Sequence, residues 1–452
     1  MNGPSAHRRA HQQMRRAFTP VLVAVSLVAS LAGCSAGATA SGSGSASGFK
    51  PGVLTKKYSG TTLEVGLPNY QGMPKSTLAE FTKATGIKLH MQNPSYDVIH
   101  DKIVTAGAAN TAFADVVYLD PAWIGQVGAA GWFEPLEKWV PSSTIKNDLG
   151  QSLFAYKGQT IGLPWNLDFR GTLWNMTLLK KAGINKPPTS YDELITTAEK
   201  LKSKGVVKYP VAEPLSITEG AATPWYALVR ASGNAVLKNG KPAFQAGGAG
   251  AKALDLIRTL FSKQLIDPGS VNLTDQQVGQ AFGNGDSAVM LSGGPAGLGY
   301  YAQPSNSKIS SDQVTFTTLP TPDGSPSAGS VGLEDGMGIP KASTHKEAAA
   351  LFVNWYLQEH QLNAAYAAAG LLPPNAAALK TLVSQGKLAG GQPLVDAAMG
   401  IKPIFEGGSP TWYSKFSSNV ASMVQSVAVG SKSSGQGVAG LVSQVNALNA
   451  QQ

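Results

Sequence analysis

Trp165 and Asp168 stand three residues apart in a segment opened by Pro164, and their side chains carry complementary chemistry. An indole offers a flat apolar face. A carboxylate accepts hydrogen bonds, and those to a charged group are worth roughly 1.5–3 kcal/mol. Together they could hold one ring of a polyhydroxylated ligand, the indole on its C–H face and the carboxylate on its hydroxyl edge. Arg170 leaves a second role open, in which Asp168 pairs with it or caps a turn and serves stability instead. Bond-making chemistry is far less visible. Of the six histidines, His7 and His11 lie in the basic N-terminal stretch. His90, His100, His345 and His360 stand alone, outside any His-Glu-x-x-His or Cys/His metal pattern. There is no Gly-x-Ser-x-Gly elbow and no phosphate-binding loop. Gly283 to Ala288 and Gly297 to Ala302 have dinucleotide-fingerprint spacing. The first follows a helix pattern, and the second leaves little room for a crossover helix before a strand near Val314, so both read as turns. No catalytic residue, metal or cofactor is expected.

Cys34 is the only cysteine. Before it come Arg8, Arg9, Arg15 and Arg16 and an apolar run from Val21 to Ala32, the layout of a signal peptide. Leu31-Ala32-Gly33-Cys34 resembles the bacterial lipobox, in which the thiol receives diacylglycerol, so Cys34 is the expected lipidation site. Arg15-Arg16-Ala17-Phe18 resembles a twin-arginine core, but a general basic region explains it equally well, and the export route stays open. Ser35 to Gly48 contains only Ser, Ala, Gly and Thr, a flexible composition. It reads as a tether to the outer face of the cell membrane, where two acyl chains anchor stably. A lone cysteine also excludes an intrachain disulfide, so the core alone must hold the fold.

The elements that must position such a site alternate strand and helix. Thr61–Leu67, Ile87–Met91 and Asp115–Leu119 read as strands, the last nearly all apolar as in a sheet interior. Between them lie helices over Ser76–Thr85, stopped by Gly86, and Tyr96–Ala109. A second set follows. Strands are expected at Thr172–Trp174, Val206–Val211, Ser287–Leu291 and Val314–Leu319, and Met337-Gly338-Ile339 follows. Helices are expected at Leu178–Ala182, after a capping box at Ser190–Glu193, from Thr223–Pro224, at Ala251–Phe261 and at Asp275–Phe282. A further capping box, Thr344–Glu347, opens a helix to about His360. The 452 residues suggest two or more domains. They include 8 Trp, 13 Tyr and 14 Phe, enough aromatics for a packed core. Only 14% are charged, against roughly 25% in ordinary soluble domains. No apolar run reaches the ~20 residues of a membrane span. The net charge of +9 owes four units to the first 20 residues, and no basic stripe follows, which excludes nucleic acid as a partner.

Several segments together resemble family 1 extracellular solute-binding proteins, the carbohydrate receptors of ABC importers. Asp115-Val116-Val117-Tyr118-Leu119-Asp120 with Trp123 and Gly131–Leu136 is similar to the first-lobe signature. Gly162–Asp168, Leu173-Trp174-Asn175, Leu178–Ile184 and Pro187–Leu194 are similar to the segment between lobes. Ala281–Met290 and Gly338–Ala349 continue the likeness in order, from about residue 60 to the C-terminus. The resemblance implies an α/β periplasmic-binding-protein-like fold, with two α/β lobes joined by hinge strands and a ligand cleft between them. The expected division is a signal peptide over 1–33, a tether over 34–58, a first lobe from 59–166 and 331–395, and a second lobe from 167–330 and 396–452.

On that pattern the ligand would meet Asn69 and Tyr70 after the first strand, Asp120 after the third with Trp123 nearby, and Trp165 and Asp168 between lobes. Trp225 would contribute from the second lobe, Gly294 from a loop beside the cleft, Glu334 near a hinge and Trp412 from the C-terminal return. Trp132, Trp139, Trp174 and Trp355 belong to the core. Maltose-type receptors carry an aromatic in the loop after Pro295, where this chain has Ala296, which argues against a maltodextrin. The resemblance implies a monomeric receptor that binds a sugar or oligosaccharide and delivers it to an ABC permease. Two alternatives remain: a non-sugar solute such as a polyamine or polyol phosphate in the same fold, or a surface-anchored glycoside hydrolase with paired carboxylates.

Overall fold

The computed structural model describes residues 49–69, 72–301 and 307–451. The signal core, Cys34, the Ser/Gly/Ala tract and Tyr70 lie outside them.

The first sheet has five strands in the order Lys88–Gln92, Thr62–Gly66, Val116–Leu119, Asp335–Gly338, Leu163–Asn166. The first three run parallel, and Asp335–Gly338 runs antiparallel to both its neighbours. Val116–Leu119 is buried throughout, as a strand enclosed on both faces must be. Lys88–Gln92 alternates and sits at the edge. The helix Lys75–Thr85 ends where Gly86 takes a positive φ of 74°, a conformation only glycine adopts at little cost. Its Phe81 meets Phe352 edge-to-face, with centroids 5.4 Å apart, in the core behind this sheet.

The second sheet has four strands in the order Val314–Thr317, Gly171–Asn175, Val289–Gly293, Val211–Ala212. Beside it the helices Glu219–Ala231, Ala249–Ser262, Tyr413–Ala428 and Ser434–Asn449 pack together. Tyr226 and Phe416 stack between two of them at 6.0 Å. The chain passes between the sheets through segments bonded to one another. Leu333 N–H donates to the Asp168 carbonyl at 2.9 Å, Leu167 N–H donates to Leu372 O at 2.7 Å, and Phe169 bridges Gly332.

Several expectations need correction. Residues 206–210 are not a strand: Gly205 turns with positive φ, Val206 N–H closes back on Leu201 O, and pairing begins only at Val211. The helix expected from Thr223 starts at Glu219, so Pro224 lies inside it and removes the bond to the Gly220 carbonyl. Thr344 does not cap its helix. Ser343 Oγ bonds Asp115 at 2.7 Å and receives His345 N–H, while Tyr58 and Lys57 take the Glu347 carboxylate. That helix ends at Tyr356, and a separate one runs Glu359–Ala369. Ala296–Tyr301 is a short helix rather than a turn. Residues 49–58, assigned to the tether, lie on the body, where Phe49 meets the Trp139 ring at 5.9 Å. The helix Ala376–Ser384, assigned to the first lobe, and Gly391–Met399, divided by the boundary expected at 395, bury Leu379, Leu382 and Leu394 with Phe169 and Phe316 of the second sheet's core.

Candidate functional site

A cavity of about 570 Å³ opens between the two halves of the body. One wall carries Asn69, just after the first sheet's Thr62–Gly66, with Ala369 and Leu371 at the end of the helix Glu359–Ala369. The other carries Asp168 and Arg170 from a crossing segment, Glu213 after Val211–Ala212, and Ser292 and Gly294 at the end of Val289–Gly293. Asp275, Gln276 and Gly279 come from the helix Asp275–Gly283, and Gly220, Thr223 and Pro224 from the proline-interrupted helix. Most of these polar groups stand at the ends of sheet strands or helices, the usual place for ligand-contacting residues in open α/β sheets.

Asp168 does two structural jobs. Its Oδ2 accepts from Arg170 Nη1 at 2.5 Å, and its Oδ1 accepts from Phe169 N–H at 3.0 Å. The pairing left open by the sequence is therefore present, on the cavity wall itself. Burial works against the Arg170 charge, but Asp168, then Asp275 and Asp335, raise its affinity for the proton. A Cβ at Gly294 would lie 2.5 Å from Asp168 Oδ1 and 3.1 Å from Arg170 Nη1, so a larger residue there would have to displace this ion pair. Glu213 is 1% exposed, and its Oε2 has no hydrogen-bond partner. Burial pushes its carboxyl up to about 8, partly offset by Arg170, so it holds a proton at neutral pH. Ser292 Oγ is likewise buried without a partner. Tyr301 is the only aromatic lining this cavity among the described residues, and its hydroxyl donates to Gly279 O at 3.1 Å.

A smaller cavity of about 200 Å³ has Tyr96, His100 and Trp123 on one side and Glu219, Tyr413 and Ser417 on the other. Glu219 accepts from the Tyr413 and Ser417 hydroxyls, and burial pushes it up to about 7.

The ten proposed ligand contacts thus separate. Asn69, Asp168 and Gly294 line the larger cavity and Trp123 the smaller. Asp120 lies beneath Tyr96, accepting its hydroxyl at 3.0 Å and capping a turn through Ala122 N–H at 2.8 Å. Trp165 is fully buried between Tyr118 and Tyr356. Trp225 is fully buried too, its indole N–H held by Gly250 O at 3.0 Å. The structure therefore moves both tryptophans from the ligand to the core: Trp165 sits on a strand buried along its whole length, and Trp225 meets Phe244 of a neighbouring turn with ring centroids 5.2 Å apart. Glu334 lies wholly buried in the crossing segments, with neither carboxyl oxygen partnered, and burial holds it well above the carboxylate range. Trp412 packs on Phe416 at 5.9 Å before the helix Tyr413–Ala428 and lines neither cavity. Sequence reading missed Arg170 as a wall residue, and Glu213, Asp275 and Ser292 altogether. Their signal was positional: Glu213 and Ser292 stand at the ends of apolar strand runs. Among the described residues no group of three or more His, Cys, Asp or Glu is arranged to hold a metal.

A family model described as bacterial extracellular solute-binding protein matches residues 66–363. A binding protein of Brucella abortus is 27% identical over 228 residues, 50% of this chain and 54% of its own length. The chain thus spans about half the length of the Brucella relatives it matches. An ABC transporter solute-binding protein of Agrobacterium radiobacter, solved with ribitol, superposes with TM-score 0.75 at 22% identity, covering 88% of this chain and all of that one (100%). One from Thermotoga lettingae, solved with α-D-tagatose, has TM-score 0.72 at 23% identity, covering 85% of this chain and 99% of that one. The matches bear out the periplasmic-binding-protein-like α/β fold and a binding protein rather than a hydrolase.

Proposed function

We propose a sugar or polyol receptor from one premise: the chain belongs to the bacterial extracellular solute-binding protein family. The observation that carries this reading is the larger cavity, walled from both halves by groups that exchange hydrogen bonds with hydroxyls: Asn69, Asp168, Arg170, Glu213, Asp275 and Ser292. Among the described residues only Tyr301 offers a flat aromatic face there, since Trp165 and Trp225 are core residues. Long oligosaccharides need such faces. A polyol or a small sugar, held by its hydroxyls, suits about 570 Å³ better. The ribitol and tagatose carried by two structural neighbours are ligands of this size.

A ligand touching both walls favours whichever state brings them together, by its differential affinity for that state. The mutually bonded crossing segments are the natural hinge for such closure. The receptor then presents its cargo to an ABC permease, tethered to the outer membrane face through lipidated Cys34. A thermal-shift panel of sugars and polyols on the full chain tests the ligand. At least one member should raise the melting temperature, and a panel without effect would sink the reading. Cys34→Ser tests the anchor separately: the protein should leave the membrane fraction, and retention after a carbonate wash would exclude lipidation.

A further inference from the structure

Within the proposed receptor reading, on which this inference rests, the ionisable groups around the cleft are mostly carboxyls. The larger cavity carries three carboxyl side chains, Asp168, Glu213 and Asp275, and one cation, Arg170. The smaller one carries Glu219 and the imidazole of His100. The chain as a whole has a net charge of +9, so acid concentrated here runs against its composition. Arg170 gives its short ion pair to Asp168. Glu213 is left on the cavity wall, 1% exposed, with Oε2 unpartnered. An orphaned buried carboxyl oxygen is costly unless a partner arrives. No lysine or histidine lines this cavity among the described residues.

We propose that the preferred ligand carries a protonated amino group on its polyhydroxylated frame, an amino sugar or amino polyol, with the ammonium held by Glu213 and its hydroxyls by Asp168, Arg170 and Ser292. A neutral polyol can donate one hydroxyl to Glu213 but brings no charge to pair with its carboxylate form. An ammonium offers three donors and a full positive charge to the same oxygen. The other ionisable groups lining the cavity are Asp168 and Arg170 on the crossing segment, Asp275 on the helix Asp275–Gly283, and Tyr301, and of their charges it is that of Arg170 that acts on Glu213. Of these only Arg170 opposes a second cation, and Asp168 already engages it. Glu213 holds a proton in the empty cavity at neutral pH, so capture of an ammonium would drive that proton off.

Calorimetry on the full chain at pH 7 tests this with matched pairs: glucitol against glucamine, and glucose against glucosamine, with N-acetylglucosamine as the uncharged control. The amine of at least one pair should bind tenfold or more tightly than its neutral partner, and acetylation should abolish the advantage. Titrations in buffers of different ionisation enthalpy should show release of a proton on binding the amine. Glu213→Gln should collapse the ratio between amine and neutral partner. Should that variant fail to fold, Asp275→Asn, at an exposed position, should reduce the ratio by about threefold. Neutral partners that bind as tightly as their amines, or a ratio untouched by either variant, would overturn the inference and leave the receptor reading standing. A panel in which neither neutral nor aminated sugars and polyols bind would remove both.

Discussion

Asp168 shows how one side chain serves structure and ligand together. It holds Arg170 and caps Phe169 while standing on the cavity wall. Asp168→Asn should therefore cost on both counts. Neutralising it leaves Arg170 without its short partner. Both side chains are 20% exposed, so the loss should be about 1–3 kcal/mol of unfolding free energy, below the full cost of breaking a buried pair. Affinity for the ligand should fall by roughly 1.5–3 kcal/mol if the carboxylate also accepts hydroxyls. Denaturant titration and calorimetry on the same variant separate the two. Lowered stability with wild-type affinity would confine Asp168 to a structural role. At this scale the sequence shows Asn69, Asp168 and Gly294, which share the larger cavity, and Trp123, which lines the smaller. It misplaces Trp165 and Trp225 because a tryptophan's type does not say which face of its strand or helix it occupies. It misses Glu213 because a lone acid acquires meaning only when its orphaned oxygen is seen.

Local signals read well where the chain satisfies itself nearby. Ser190 accepts from Glu193 N–H at 3.2 Å, and the Glu193 carboxylate reaches back to Ser190 N–H at 3.3 Å, closing the capping box the spacing implied. Ser190→Ala should lower stability by about 1 kcal/mol, as loss of such a cap usually does. A urea midpoint unchanged from wild type would show the cap to be idle. The capping box expected at Thr344 fails for a reason no window of sequence holds: Asp115 and Tyr58, distant in the chain, claim Ser343 and Glu347. Pro224 is misread similarly, since tertiary packing of Glu219–Ala231 against Tyr413–Ala428 sustains a helix that proline would otherwise end. The two α/β sheets were legible from alternation. The allotment of the helices Ala376–Ser384 and Gly391–Met399 was not, because their apolar faces fit either core.

Over the whole molecule, buried acids gather where the halves meet. Burial pushes Glu213 up to about 8, and Glu219 and Asp335 up to about 7. In the folded, empty protein these groups keep their protons near pH 6, whereas in the unfolded chain they ionise above about pH 4–4.5. Their contribution to stability is complete below that point and is lost as pH rises towards 8. The urea midpoint of the empty protein should therefore decline from about pH 5 to pH 8, and a midpoint that rises across this interval would contradict the burial of these acids. The central claim, that a small polyhydroxylated solute occupies the larger cavity, meets its most direct test at Gly279. A Cβ there makes only ordinary contacts, 3.6 Å from both Met290 Cε and the Tyr301 hydroxyl oxygen, and Gly279 lines the cavity, so Gly279→Phe adds its bulk at the cavity wall. Titrating the sugar or polyol found by thermal shift into wild type and Gly279→Phe should give binding in the first and none in the second, with the variant's melting temperature retained. Equal affinity in the two would place the ligand somewhere other than this cavity.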